Sequence, residues 1–175
     1  MTNSLIFKLE RIESPIGTLL IVTDAQARLR AMQWDADERR LEQRLQRHYG
    51  PACVLRSDDA SPSQARQALE AYFGGDLHAT ESITVEAAGT PFQREVWAAL
   101  RDIPVGKTMS YGGLAAKIGR PKAVRAVGLA NGANPIGIVV PCHRVIGADA
   151  SLTGFGGGLD RKRWLLSHEG AHYIG

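Results

Sequence analysis

The sequence predicts an α/β (α+β) protein in two parts. Residues 1–88 read as a small N-terminal antiparallel sheet-plus-helix domain in which nothing looks catalytic. Residues 89–175 read as a mainly helical C-terminal domain with a helix-turn-helix. Three observations carry this: three short apolar strands joined by tight turns open the chain, composition changes at Gly89, and two short helices then meet through Gly119.

Composition bounds the function. At 175 residues the chain can bury a sizeable core, and 44% hydrophobic with 22% charged residues is the balance of a soluble globular protein. Lys and Arg exceed Asp and Glu by 21 to 18, which permits a polyanionic partner without requiring one. Cys53 and Cys142 stand far apart and make no disulfide framework, as expected of a reducing compartment. Met1–Phe7 lacks the basic start and apolar core of a signal peptide, and no segment has the apolar length to span a bilayer, so a cytoplasmic protein is expected.

The first strand runs from Leu5 to Ile12 and ends at the turn Ser14-Pro15-Ile16-Gly17; Thr18 to Thr23 and Arg28 to Trp34 complete a meander. A helix follows, with Asp35 as its cap and Glu38 at the third helical position, and Gly50-Pro51 ends it. Leu41 and Leu45 form its apolar stripe, and Arg39, Arg40, Arg44 and Arg47 read as a solvated face. Cys53, beside Val54 and Leu55, reads as a small core residue. Ser61-Pro62-Ser63-Gln64 opens a second helix with Pro62 at its first position and Ala65, Leu69, Tyr72 and Phe73 inside. Residues 74–89 read as a linker with a short strand at Ile83 to Val85.

Thr90-Pro91-Phe92-Gln93 then carries a cap, an N1 proline and a capping-box glutamine, and Phe92, Val96, Trp97 and Leu100 recur at helical spacing. Ser110 caps Tyr111 to Ile118, Gly119 stops it, and Pro121 to Ala130 forms the second helix of the pair. That second helix is bare: Ala123, Ala126, Gly128 and Ala130 are small, whereas Lys122 and Arg125 are long and basic. Such a surface suits either tight helix packing or close approach to a DNA groove, with Arg125 projecting into it. The run Ile136 to Val140 reads as a buried strand ending at Cys142. Asp160 caps a last helix to Glu169, with Leu159 placed to staple against Trp164, Trp164, Leu165 and His168 inward, and Arg161, Lys162 and Arg163 outward.

The chemistry concentrates at Val140-Pro141-Cys142-His143-Arg144-Val145, which faces a stretch with four glycines between Thr153 and Gly158. A cysteine reacts as thiolate, so a base must remove its proton. His143 is adjacent, but neighbours on an extended chain point to opposite sides, which favours action through a bridging water. An imidazole base needs an acid to fix its tautomer, and Glu169 is the best-placed one. No phosphate-binding loop, dinucleotide fingerprint or metal-ligand spacing is present, so neither cofactor nor metal is expected.

Ile138 to Val145, Ile-Val-Val-Pro-Cys-His-Arg-Val, resembles the active-site signature of the O6-alkylguanine-DNA alkyltransferases, bacterial type. Gly89-Thr90-Pro91-Phe92-Gln93 with Val96-Trp97, Ser110-Tyr111-Gly112, Pro121 with Ala126-Val127-Gly128, residues 131–135 and residues 164–170 follow in family order, and the Ser14–Gly17 turn fits the N-terminal domain. The resemblance implies a ribonuclease H-like N-terminal domain with a structural role and a winged-helix-like C-terminal one. It also implies single-turnover transfer of an alkyl group from O6 of guanine, or O4 of thymine, to Cys142. His143 would be the base acting through water and Glu169 its orienting acid. Asn134 would hold the hinge, Tyr111 would donate to guanine N3, and the carbonyls of Cys142 and Val145 would accept from the exocyclic amine.

The nucleotide must be flipped out of the duplex to be reached. The resemblance implies that the second helix enters the minor groove, with Lys122, Ala123 and Ala126 against DNA and Arg125 filling the gap in the stack. Phe155 stands where the family usually has tyrosine, and Gly156 where some members have serine, which leaves a backbone N–H toward O6 and a roomier pocket. The N-terminal cysteines of the zinc-binding relatives are missing. Duplex DNA carrying O6-alkylguanine or O4-alkylthymine is the expected partner of a monomer. Three other readings stay open on the residues alone: a damage sensor, a helix-turn-helix regulator and a cysteine hydrolase. The first is disfavoured by the presence of Cys142, and the second by the lack of base-reading side chains on the helix.

Overall fold

A computed structural model describes residues 4–175; residues 1–3, the start of the segment read for a signal peptide, lie outside the described residues. Contacts within the chain divide it into two compact units between Ala88 and Gly89. Among the described residues no helix is long and apolar enough to cross a membrane.

In the first unit β1 (Leu5–Ser14), β2 (Gly17–Thr23) and β3 (Leu29–Trp34) form the expected meander, with Leu9 opposite Val22 and Ile21 opposite Met32. Gly17 makes the first turn with a φ of 116°, which a side chain would resist. A fourth strand, β4 (Cys53–Ser57), lies outside the sequence expectation and pairs parallel with β1, giving the order β3-β2-β1-β4. The parallel pairing uses α1 (Glu38–Tyr49) as its crossover. The cap of α1 is Asp37, whose carboxylate accepts from Arg40 N at 3.0 Å, not Asp35. Asp35 and Ala36 have φ of 65° and 54° and are consumed in turning the chain out of β3, which moves the helix start two residues on.

Leu41 and Leu45 pack with Phe7, Leu9, Leu20, Val22, Ala31 and Cys53, so Cys53 is a core residue. Arg44 leaves the solvated face expected of it: its guanidinium donates to Met32 O and Gln33 Oε1. The second helix, α2 (Gln64–Phe73), is capped by Ser63, with Pro62 one position before the cap rather than inside the helix. Buried Glu10 accepts from both the backbone and the hydroxyl of Ser63, tying α2 to β1. The strand expected at Ile83 to Val85 reduces to one bridge between Val85 and Leu29.

The second unit begins where α3 (Pro91–Arg101) forms with the capping box of Thr90 and Gln93 in place. Gly89 is required there, since a Cβ would come within 2.5 Å of the Trp97 ring. Val96, Trp97 and Leu100 are buried, Phe92 is half-buried, and Trp97 Nε1 donates to Ala130 O at 2.8 Å. A short strand β5 (Met109–Ser110) leads into α4 (Tyr111–Lys117), whose cap Ser110 accepts from Gly113 N. Gly119, at φ 74°, turns the chain toward α5 (Val124–Gly132). That helix starts later than expected: Pro121 and Lys122 lie in the turn and Ala123 is the cap.

The largest correction concerns Ile136 to Val140. The segment is buried, but it is a chain of turns with Ile138 at φ 69°, not a strand. Its polar backbone is satisfied locally, by Val140 N to Ile136 O and by the Asn134 side chain. An apolar run alone does not distinguish a buried strand from any other buried segment. The strand that does form is β6 (Val145–Ile146), parallel to β5 and just after Cys142. The last helix, α6 (Leu159–His168), is preceded by Gly158 without a side-chain cap; Asp160 sits in its first turn and pairs with Arg163. Its buried residues are Lys162, Leu165 and Leu166, followed by Glu169, whereas Trp164 and His168 are half-buried and stack on each other. Lys162 is thus inward, against the expectation.

Candidate active site

Cys142, His143 and Arg144 form one 3-10 turn, entered from Pro141 and left through β6. Consecutive side chains on such a turn diverge by about 120°. The side chains of Cys142 and His143 therefore point apart although the chain is not extended there. The turn is fixed from three directions. Pairing of β6 with β5 sets it beside the start of α4. The Asn134 side chain donates to Val140 O at 2.8 Å and accepts from Ile136 N at 3.0 Å, which holds the preceding turns as a hinge brace. From α6, spaced at i, i+3, i+4 and i+7, Lys162, Leu165, Leu166 and Glu169 pack inward.

His143 is fully buried, and its Nε2 lies 2.9 Å from Glu169 Oε1. Arg144 grips the same carboxylate with Nε to Oε2 and Nη2 to Oε1, both at 2.9 Å, and anchors its other nitrogen on Ile103 O. Burial alone would raise the Glu169 carboxyl, but the bonds from His143 and Arg144 outweigh it and hold the group well below the usual range. Burial pushes His143 down, against the pull of Glu169, and keeps the imidazole neutral. A neutral ring that donates from Nε2 to a carboxylate carries its lone pair on Nδ1. That Nδ1 is buried and has no protein hydrogen-bond partner, so it is the basic nitrogen.

Cys142 is 7% exposed, and burial pushes its thiol up, opposed by the Asn134 side chain and the charge of Lys162. Lys162, with no measurable exposure, donates to Val145 O at 2.7 Å and Thr153 O at 3.2 Å. Burial brings its ammonium down to about 8, against the attraction of Cys142. The site thus sets a neutral imidazole with an unpartnered basic nitrogen one residue from a buried thiol, and a buried cation acts on that thiol.

The other expected residues distribute around this centre. The Tyr111 hydroxyl lies 2.6 Å from Thr153 Oγ1, and a Cβ on Gly128 would stand 3.6 Å from the Tyr111 ring. Val145 O is engaged by Lys162, and Cys142 O accepts from Val145 N and, at 3.5 Å, from Asn131 Nδ2. Phe155 is half-buried and Gly156 exposed, with open space where a Cβ would lie. On α5 and the turn before it, Lys122, Arg125 and Ala126 are exposed and Ala123 is half-buried; among the described residues no ion pair holds Lys122 or Arg125. Leu129, one turn after Arg125, is 72% exposed. Residues 89–175 carry eleven Lys and Arg against five Asp and Glu, so the positive charge of the chain resides in the unit that bears this helix.

Three residues of the site escaped the sequence reading: Arg144, Lys162 and Thr153. The i+3, i+4, i+7 spacing from Lys162 to Glu169 was the available signal for the second. Among the described residues no cluster of His, Cys, Asp and Glu could hold a metal ion.

Comparison with known proteins gives a consistent assignment. Residues 8–87 match the family model of the 6-O-methylguanine DNA methyltransferase ribonuclease-like domain, and residues 91–171 that of the DNA binding domain. A methylated-DNA–protein-cysteine methyltransferase of Salmonella typhimurium is 53% identical over 161 residues, covering 92% of this chain and 94% of its own. A Haemophilus influenzae protein of the same description is 42% identical over 163 residues, covering 92% and 85%. Among solved structures, Mycobacterium tuberculosis O6-methylguanine methyltransferase superposes with a TM-score of 0.77 at 41% identity over 94% of this chain and 93% of that one. Mycobacterium tuberculosis OGT in complex with DNA gives 0.78 at 44% identity, over 93% and 92%.

Proposed function

The chain belongs to the 6-O-methylguanine DNA methyltransferase family, and from that premise we propose how its residues carry out the repair. The chemistry is direct reversal: an alkyl group leaves DNA for a cysteine of the protein. The acceptor is Cys142. The lesions are O6-alkylguanine and, by the same geometry of an alkylated exocyclic oxygen, O4-alkylthymine. Residues 89–175 bind DNA and accept the alkyl group, residues 1–88 act as a structural domain, and the protein works as a monomer.

His143 Nδ1 takes the thiol proton through a bridging water, while Glu169, held by Arg144, keeps the ring in the required tautomer. The sulfur attacks the alkyl carbon, an S–C bond forms, and the C–O6 bond breaks with its electron pair passing to the base. Tyr111 donates to N3 of the departing guanine and the proton lost by sulfur is returned to the base, so guanine and an S-alkylcysteine result. The thioether has no leaving pathway, so each molecule acts once. The carbonyls of Cys142 and Val145 accept from the exocyclic amine; Val145 O has two lone pairs and spends one on Lys162, whereas Cys142 O takes the amine in place of its long 3.5 Å contact with Asn131 Nδ2.

The flipped nucleotide is reached from the minor groove. Lys122 contacts phosphate, Ala123 and Ala126 let the α5 backbone approach, and Arg125 fills the vacated stack. The open space at Gly156 supports acceptance of adducts larger than methyl. The observation that carries this reading is the buried Cys142–His143–Glu169 group with its basic nitrogen facing no protein partner. Its test is the DNA product: excess protein should convert O6-methylguanine in a duplex to guanine, and O4-methylthymine to thymine. Recovery of an abasic site, or of unchanged lesion, would sink it.

A further inference from the structure

Tyr111 is held at two points. Its ring packs over Gly128 of α5, and its hydroxyl lies 2.6 Å from Thr153 Oγ1. Thr153 is itself anchored from behind, because its carbonyl accepts from the buried ammonium of Lys162. The same ammonium holds Val145 O, so one cation pins the backbone on both sides of the loop that joins the cysteine turn to α6. The Thr153 hydroxyl is therefore presented to Tyr111 from a fixed backbone.

A phenol has one proton and can also accept. If Tyr111 gives its proton to a departing base, its bond to Thr153 survives only with Thr153 as donor. In that arrangement Thr153 leaves the phenol proton free, fixes where it points, and makes it a stronger donor, since accepting one hydrogen bond polarises the next. We propose that Thr153 is a positioning residue for the reaction, which directs the proton of Tyr111 onto the leaving base. This rests on the role of Tyr111 given above. It adds a side chain to the group that stabilises the leaving base, one that borders the glycine-rich stretch facing Cys142.

The experiment is single-turnover transfer by the full chain from duplexes carrying O6-methylguanine or O6-methyl-3-deazaguanine, which lacks the N3 acceptor. Thr153→Val is nearly isosteric and removes the donor; Thr153→Ser retains it. With O6-methylguanine, Thr153→Val should slow transfer about three- to tenfold, the value of one neutral hydrogen bond, and Thr153→Ser should restore most of the rate. With the deaza substrate the Thr153→Val penalty should shrink toward unity, and in a Tyr111→Phe background it should vanish. Equal slowing of both substrates would mean that Thr153 only supports the fold, and an unchanged rate with O6-methylguanine would mean that it does not act; either overturns the proposal. Failure of the unaltered protein to act on O6-methylguanine at all would instead sink the assigned function, and this inference with it.

Discussion

His143 Nε2 stands 2.9 Å from Glu169 Oε1, with both side chains sealed from solvent. The pair is completed by Arg144, which faces the carboxylate with two donors. One buried carboxylate thus holds an imidazole and a guanidinium at once.

Acid should destabilise the protein early. His143 has its folded value pushed below 6.5 and Glu169 below 4.5. In both cases the unfolded chain binds the proton first, so the stability these groups contribute is present above the ordinary value and lost as pH falls through it. Urea midpoints should begin to drop near pH 6.5 and fall faster below pH 4.5. A flat midpoint from pH 7 to pH 5 would contradict the burial of a neutral imidazole.

Glu169→Ala should be costly beyond catalysis. It leaves Arg144 buried without its counter-charge, a change worth about 3–5 kcal/mol. Chemical denaturation should register that loss, and transfer should slow as well because the ring of His143 loses its orienting acid. A variant as stable as the parent would show that Arg144 finds another partner.

Gly156→Ser should leave the fold intact and change the choice of substrate. A Cβ at that position meets nothing within 4 Å, so stability should shift by less than about 0.5 kcal/mol. The ratio of benzyl to methyl transfer rates should fall as the pocket narrows. Equal rates for the two adducts, in parent and variant alike, would refute the roomier pocket.

Arg125→Ala should weaken action on duplexes more than on single strands. The side chain is exposed and unpaired on α5, where it can replace a flipped base, and a single strand has no partner stack to mend. A loss of about tenfold on duplex DNA, shrinking on a single-stranded oligonucleotide, is expected from that role. The same loss on both would make Arg125 a phosphate contact only.

Local chemistry was legible in the sequence. The capping box of Thr90 and Gln93, the cap at Ser110 and the stop at Gly119 all depend on a few residues whose roles are set by type and spacing, whereas the contact of His143 with Glu169 is given by the fold. What was not legible depended on distant partners. β4 is a strand because β1 lies beside it, and parallel pairing leaves no turn signature. Residues 136–140 look like a strand but pair with no strand among the described residues, and the Asn134 side chain bonds Val140 O and Ile136 N instead. Lys162 was assigned outward because a lysine is seldom buried, and only the carbonyls of Val145 and Thr153 make its place inside tenable.

Cys142 itself should keep the alkyl group. The most direct measurement is intact-protein mass after incubation with excess duplex DNA containing O6-methylguanine, followed by peptide mapping. A gain of one methylene per molecule is expected, located on Cys142, never exceeding one and absent in Cys142→Ala. Lesion binding without any gain in mass, or continued turnover beyond one lesion per protein, would contradict it.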